Sequence, residues 1–139
     1  MDEKYRRNVL ILDPEPDTAE LYARALGAHG NGCKCYWVKS AHEAKGLLAE
    51  IPFTFVLADL TLLEQDHFML LRTIGEMYRR TMVIVNAYLN QKEDIKKGLE
   101  MGAAGYFIKP VKINSLRKLI DDFSATADGQ ITGTGVTCG

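Results

Sequence analysis

Short apolar runs alternate five times with amphipathic segments along this chain, and that alternation leaves few folds open. The strand-like runs are Val9–Leu12, Cys35–Val38, Thr54–Ala58, Met82–Val85 and Tyr106–Ile108. The helix-like segments between and after them are Thr18–His29, Ala41–Glu50, His67–Arg79, Gln91–Met101 and Ser115–Phe123. Ser40 with Glu43, and Asn90 with Glu93, have the spacing of capping boxes. Gly102 is a natural stop for the fourth helix. Leu70, Leu71, Ile74, Met77 and Tyr78 recur at helical spacing in the third. Three central runs are apolar on both strand faces, as expected when helices cover both sides of a parallel sheet. Strict alternation with short connections reads as a doubly wound α/β fold around five parallel strands. In such folds functional groups gather outside the carboxyl ends of the strands.

Composition bounds the function. The 139 residues suit one domain with one sizeable core. A net charge of −1 gives no electrostatic reason to expect nucleic acid or an anionic membrane surface. The pairs Arg6-Arg7, Arg79-Arg80 and Lys96-Lys97 are scattered and read as solvated faces. No apolar stretch is long enough to span a bilayer, and the start MDEKYRR has no apolar signal core. The expected location is the cytoplasm. Cys33 and Cys35, two apart on a strand, share a face and read as core packing; Cys138 reads as a free thiol. The expected domain is residues 1–123. From 124 to 139 the chain is rich in Gly and Thr and reads as a linker stump or tail, though its alternating I-T-G-T-G-V could pair with a sheet edge.

The strand ends carry the polar groups. Strand one ends at Asp13, strand three at Asp59, strand four at Asn86 and Ala87, and strand five at Lys109 and Pro110. Two carboxylates, an amide and an ammonium would converge on one rim. A structural ion pair is the plain alternative to a functional site.

The segments "VLILDPEP", "FVLADLTLLEQD", "VIVNAY" and "GAAGYFIKPV" resemble the receiver domain of two-component response regulators over about residues 8–123. The resemblance implies a flavodoxin-like strand order 2-1-3-4-5. It implies a signalling switch and not an enzyme. Asp59 matches the phospho-accepting aspartate, which takes its phosphoryl group from a partner histidine kinase or phosphotransfer protein. Asp13 matches the first acid of a Mg²⁺-holding pair, with Asp59 and the backbone carbonyl of Thr61 as further ligands. Lys109 matches the phosphoryl-contacting lysine, and the Lys109–Pro110 bond is expected to be cis. Asn86, Ala87 and Tyr106 match the switch positions. The face built from the fourth helix, fifth strand and fifth helix would then move, and it is also the expected homodimer surface.

Four residues depart from the family pattern. Pro14 stands where the second acid belongs and has no side-chain oxygen. Glu15 is the one nearby acid that could substitute, one residue too late. Mg²⁺ is therefore expected to bind weakly. Asn86 replaces a switch hydroxyl, although an amide can also donate. Leu63 replaces a customary proline in the loop expected after Asp59, and His67 a customary glycine at the start of the third helix. His67 reads as an exposed first-turn residue, with a ligand or phosphodonor role as its functional alternative; His29 and His42 read as surface residues. The alternative function is a receiver-fold interaction module that works without phosphorylation. A haloacid-dehalogenase-type phosphatase would want an acid where Thr61 stands, and a flavodoxin a Ser/Thr/Gly-rich loop where the chain has "DPEPD".

Overall fold

The computed structural model describes residues 7–27 and 30–125. His29, Cys138 and the tail from residue 126 lie outside these described residues. Five parallel strands form one sheet: β1 (Arg7–Leu12), β2 (Cys33–Val38), β3 (Phe55–Asp59), β4 (Met82–Ala87) and β5 (Gly105–Ile108), in the order β2-β1-β3-β4-β5. The helices are α1 (Pro16–Leu26), α2 (Ala41–Glu50), α3 (Leu60–Gln65), α4 (Met69–Met77), α5 (Lys92–Glu100) and α6 (Ile113–Ala125), with a short 3₁₀ turn at Leu89–Gln91 before α5.

The two-faced apolar strands sort the helices. Side chains alternate across a strand, so Val9, Ile11, Phe55, Leu57, Ile84 and Phe107 pack with α1 and α6. Leu10, Leu12, Val56, Ala58, Val83 and Val85 face the other way, against α2, α3, α4 and α5. Val9 through Leu12 and Phe55 through Ala58 are all wholly buried. Cys33 is buried and Cys35 partly so, both as free thiols packed with the α1–α6 side.

Local chemistry sets the helix ends. Pro16 opens α1, where its missing N–H costs nothing. The Ser40 hydroxyl accepts the Glu43 N–H at 3.1 Å and caps α2. The expected Asn90–Glu93 box does not form. Gln91 takes the part instead, its Oε1 accepting the Tyr88 N–H at 2.8 Å. After α5 the chain turns at Gly102, whose φ of +117° suits only glycine.

The largest departure follows Asp59. The loop expected there is helix α3, and the third expected helix begins later, at Met69. Without a proline at Leu63 nothing prevents a helical turn, and burial of Leu60 and Leu63 rewards it. The two helices are separated by Asp66, His67 and Phe68, the last two left-handed, at φ +53° and +58°. Their turn is held by Asp66, whose Oδ2 accepts the Leu70 N–H, and by burial of the Phe68 ring.

A side chain at a left-handed position costs about 1–2 kcal/mol, part of which glycine returns as unfolded-state entropy. His67 is exposed, so His67→Gly should stabilise the fold by about 0.5–1 kcal/mol. A shift of the urea midpoint upward checks this; a downward shift would mean that the imidazole makes a contact worth more than the strain.

Candidate acidic site at the strand ends

Asp13 and Asp59 lie at the carboxyl ends of neighbouring strands β1 and β3, and both are buried, at 1% and 4% exposure. Lys109, just past β5, reaches across to both. Its Nζ donates to Asp59 Oδ2 at 2.7 Å and to Asp13 Oδ2 at 3.1 Å. The remaining oxygens are also engaged. Asp13 Oδ1 accepts the Glu15 N–H at 2.9 Å, and Asp59 Oδ1 accepts the Leu62 N–H at 3.1 Å as the N-cap of α3. The Lys109–Pro110 peptide bond is cis, and the Lys109 N–H bonds the Ala87 carbonyl at 2.7 Å.

Burial pushes the Lys109 ammonium down, but its hydrogen bond to Asp59 and the charges of Asp59 and Asp13 outweigh that. Its pKa sits above the usual 10.5. The stabilisation this brings is therefore present across the neutral range. It is lost only as pH rises through the raised folded value.

Asn86 stands beside Asp59 in register and shares its sheet face with Ile84 and Phe107. It is 2% exposed, and its Oδ1 has no donor among the described residues. Tyr106 is in register with Val85 on the opposite sheet face, where it and Ala87 pack towards α5. Thr61 lies in the first turn of α3, and an α-helical carbonyl there points toward the helix C-terminus, away from Asp13 and Asp59. Glu15 is exposed. It lines a cavity of about 230 Å³ together with Tyr22, Tyr88, Lys109 and Pro110.

Four neighbours of the site were not among the residues singled out from the sequence. Tyr22 is buried, and burial foremost pushes its phenol up to about 12, with Asp13 and Asp59 adding to the rise against Lys109. Trp37 Nε1 donates to the Asp13 carbonyl at 2.9 Å, the Tyr88 ring lies 5.4 Å from Lys109 Nζ, and Gln91 Nε2 donates to Thr61 Oγ1 at 3.1 Å. No local spacing rule joins these pairs.

A family model described as the response regulator receiver domain matches residues 9–121. The chain belongs to this family. Among relatives of this receiver, the response regulator protein PilR of Pseudomonas aeruginosa is 30% identical over 115 residues, covering 83% of this chain and 25% of that protein. The transcriptional regulatory protein PmrA of Pectobacterium parmentieri is 29% identical over 110 residues, or 78% of this chain and 48% of that protein. The receiver thus spans a quarter of one relative and about half of the other. Of solved structures, the signal receiver domain of a DNA-binding response regulator from Colwellia psychrerythraea superposes with a TM-score of 0.76 at 20% identity, over 87% of this chain and all of that one. A BeF₃-activated DrrB receiver domain gives 0.74 at 22%, over 86% and 98%. These two share the fold. No helix among the described residues of this receiver is long and apolar enough to cross a membrane.

Receiver domains typically bind Mg²⁺, an ion that demands a near-octahedral set of oxygens. The donor set of this receiver does not fit it. Pro14 offers no side-chain oxygen, the Thr61 carbonyl turns away, and the Lys109 ammonium already holds one oxygen of each carboxylate. The cation between the two carboxylates is the Lys109 ammonium.

One turn from the site, the Glu64 carboxyl of α3 meets that of Asp94 in α5. Among the described residues no N–H or O–H donor reaches the buried Glu64 Oε1, and a bond between two carboxyls requires a shared proton. The bond to Asp94, then burial, then the charges of Asp94 and Asp59 push the Glu64 pKa up to about 7, against the pull of Lys97.

Two outcomes follow from these charges. Lys109→Met leaves two buried carboxylates without their cation and should cost about 3–5 kcal/mol at neutral pH; the loss should shrink as acid protonates them, measured by denaturant unfolding at several pH values. Glu64 binds its proton more tightly folded than unfolded, so stability should fall as pH rises from about 4.5 to about 7. Melting temperatures across that range should fall less steeply in Glu64→Gln than in the wild type, and parallel curves would show that the carboxyl pair does not form.

Proposed function

We propose that this receiver accepts a phosphoryl group on Asp59 from a histidine kinase or phosphotransfer partner. The observation that carries the reading is the Asp13–Lys109–Asp59 cluster at the strand ends with Asn86 beside it. In the transfer, the P–N bond of the donor phosphohistidine breaks and a P–O bond to Asp59 forms, while the imidazole leaves with the electron pair. An ionised carboxylate is the nucleophile. Lys109 holds positive charge where phosphoryl oxygens arrive, and preorganised charge of that kind needs no rearrangement at the moment of reaction. The Asn86 amide can donate to one of those oxygens.

Without an acid at position 14, this site would hold Mg²⁺ weakly at most. A second reading has its own observation. Because Lys109, Glu15 and Leu62 already satisfy both carboxylates, the cluster is also stable as a purely structural core of an interaction module. That module would bind its partner through α5, β5 and α6 whatever the state of Asp59.

A Mg²⁺ titration of wild type and Pro14→Asp, followed by fluorescence of Trp37, separates the causes. Pro14→Asp should tighten Mg²⁺ by about tenfold or more if the new carboxylate supplies a kcal/mol or two. Labelling of Asp59 by a small phosphodonor should rise with it. Absent labelling in both proteins would reject Asp59 as acceptor and leave the interaction module. If labelling occurs, Asn86→Ala should weaken its coupling to partner binding while the fold stays intact, and partner affinity that ignores labelling in the wild type would also favour the module.

A further inference from the structure

Helix α3 fills a stretch expected to be a loop, and three contacts tie it to its surroundings. At its start, Asp59 is its cap through the Leu62 N–H. On its flank, Thr61 Oγ1 accepts from Gln91 Nε2 at 3.1 Å, and the other end of the same carboxamide accepts the Tyr88 N–H at 2.8 Å. One side chain thus joins α3 to the connection that follows Asn86 and Ala87 and leads into α5. Further along, Glu64 meets Asp94.

We propose that Gln91 is a positioning residue that couples α5 to the capping contact between Asp59 and α3. At six residues α3 is too short to hold itself by backbone bonds alone. It depends on its cap and on the burial of Leu60 and Leu63. Any event that draws Asp59 Oδ1 away from the Leu62 N–H frees the first turn, which carries Thr61. The Thr61–Gln91 bond then transmits the change to Tyr88 and so to the start of α5. This route runs on the sheet face towards α5, whereas Asn86 lies on the face of α1 and α6. It rests on the phosphoryl-acceptor reading for its signal but not for its mechanics, because the cap can be removed by mutation.

Backbone hydrogen exchange over Ile95–Leu99 reads the coupling. Asp59→Ala removes the cap and should speed exchange there by about fivefold, the size of a lost cap. Asp59→Asn keeps a capping oxygen and should change it by less than about twofold. In a Gln91→Ala background Asp59→Ala should add less than about twofold, since the joint is already broken. Gln91→Glu should restore the coupling, because its carboxylate can accept both the Tyr88 N–H and the Thr61 hydroxyl. Equal effects of Asp59→Ala with and without Gln91 would overturn the proposal, because independent sites add. If Asp59→Ala fails to fold, Leu62→Pro removes the donor with Asp59 intact and takes its place in the cycle. Intact mass after phosphodonor treatment completes the test. Phosphorylated wild type whose α5 exchange is unchanged overturns the proposed role, while a chain that takes no phosphoryl group overturns only the acceptor reading, and the mutant cycle still decides the coupling.

Discussion

The ammonium of Lys109 lies between two buried carboxylates that come from different strands, and the architecture at the carboxyl end of the sheet depends on it. Asp13 and Asp59 at 1% and 4% exposure could not stay charged side by side without a cation. Lys109 supplies it from beyond β5, reaching past β4 to β3 and β1, so the contact closes the rim across four strands. Each carboxylate spends its other oxygen on the connection that leaves its own strand: Asp13 on the Glu15 N–H before α1, Asp59 on the Leu62 N–H in α3. Charge pairing and the exits of two chain segments are thus handled by the same two carboxylates. A change at one carboxylate is felt by the lysine, by the other carboxylate and by a helix.

Much of this was legible from residue patterns because its causes are local or periodic. Strands that are apolar on both faces and alternate with helices fit a covered parallel sheet, and in such a sheet the residues ending them fall on one rim. Asp13, Asp59 and Lys109 were therefore findable without coordinates. The capping of α2 by Ser40 is likewise a contact between residues three apart. What escaped involved competition between local rules or contacts across the fold. Helix α3 was missed because "LTLLEQ" is short and its pull towards helix comes from burial of Leu60 and Leu63, which only the assembled core supplies. The Asn90–Glu93 spacing suggested a box, but Gln91 had a better use for its side chain, reaching Tyr88 on one side and Thr61 on the other. Tyr22 and Trp37 met the acidic residues through packing that no spacing encodes.

The departures at Pro14 and Leu63 bear on the same set of metal ligands. An octahedral metal site at these strand ends would need a second acid beside Asp13 and a backbone carbonyl turned inward after Asp59. Proline at 14 removes the first. Leucine at 63 permits the helix that removes the second, because a carbonyl inside α3 is turned along the helix axis. Neither change leaves a carboxylate without a partner, since Lys109 pairs with both and the second Asp59 oxygen caps a helix. The same helix supplies a new mechanical link, through Thr61 and Gln91, between the acid site and the start of α5. The outward turn of the Thr61 carbonyl and the α3 connection therefore share one cause, the local preference for helix after Asp59, while Pro14 acts separately, in a site whose resident cation is a side chain.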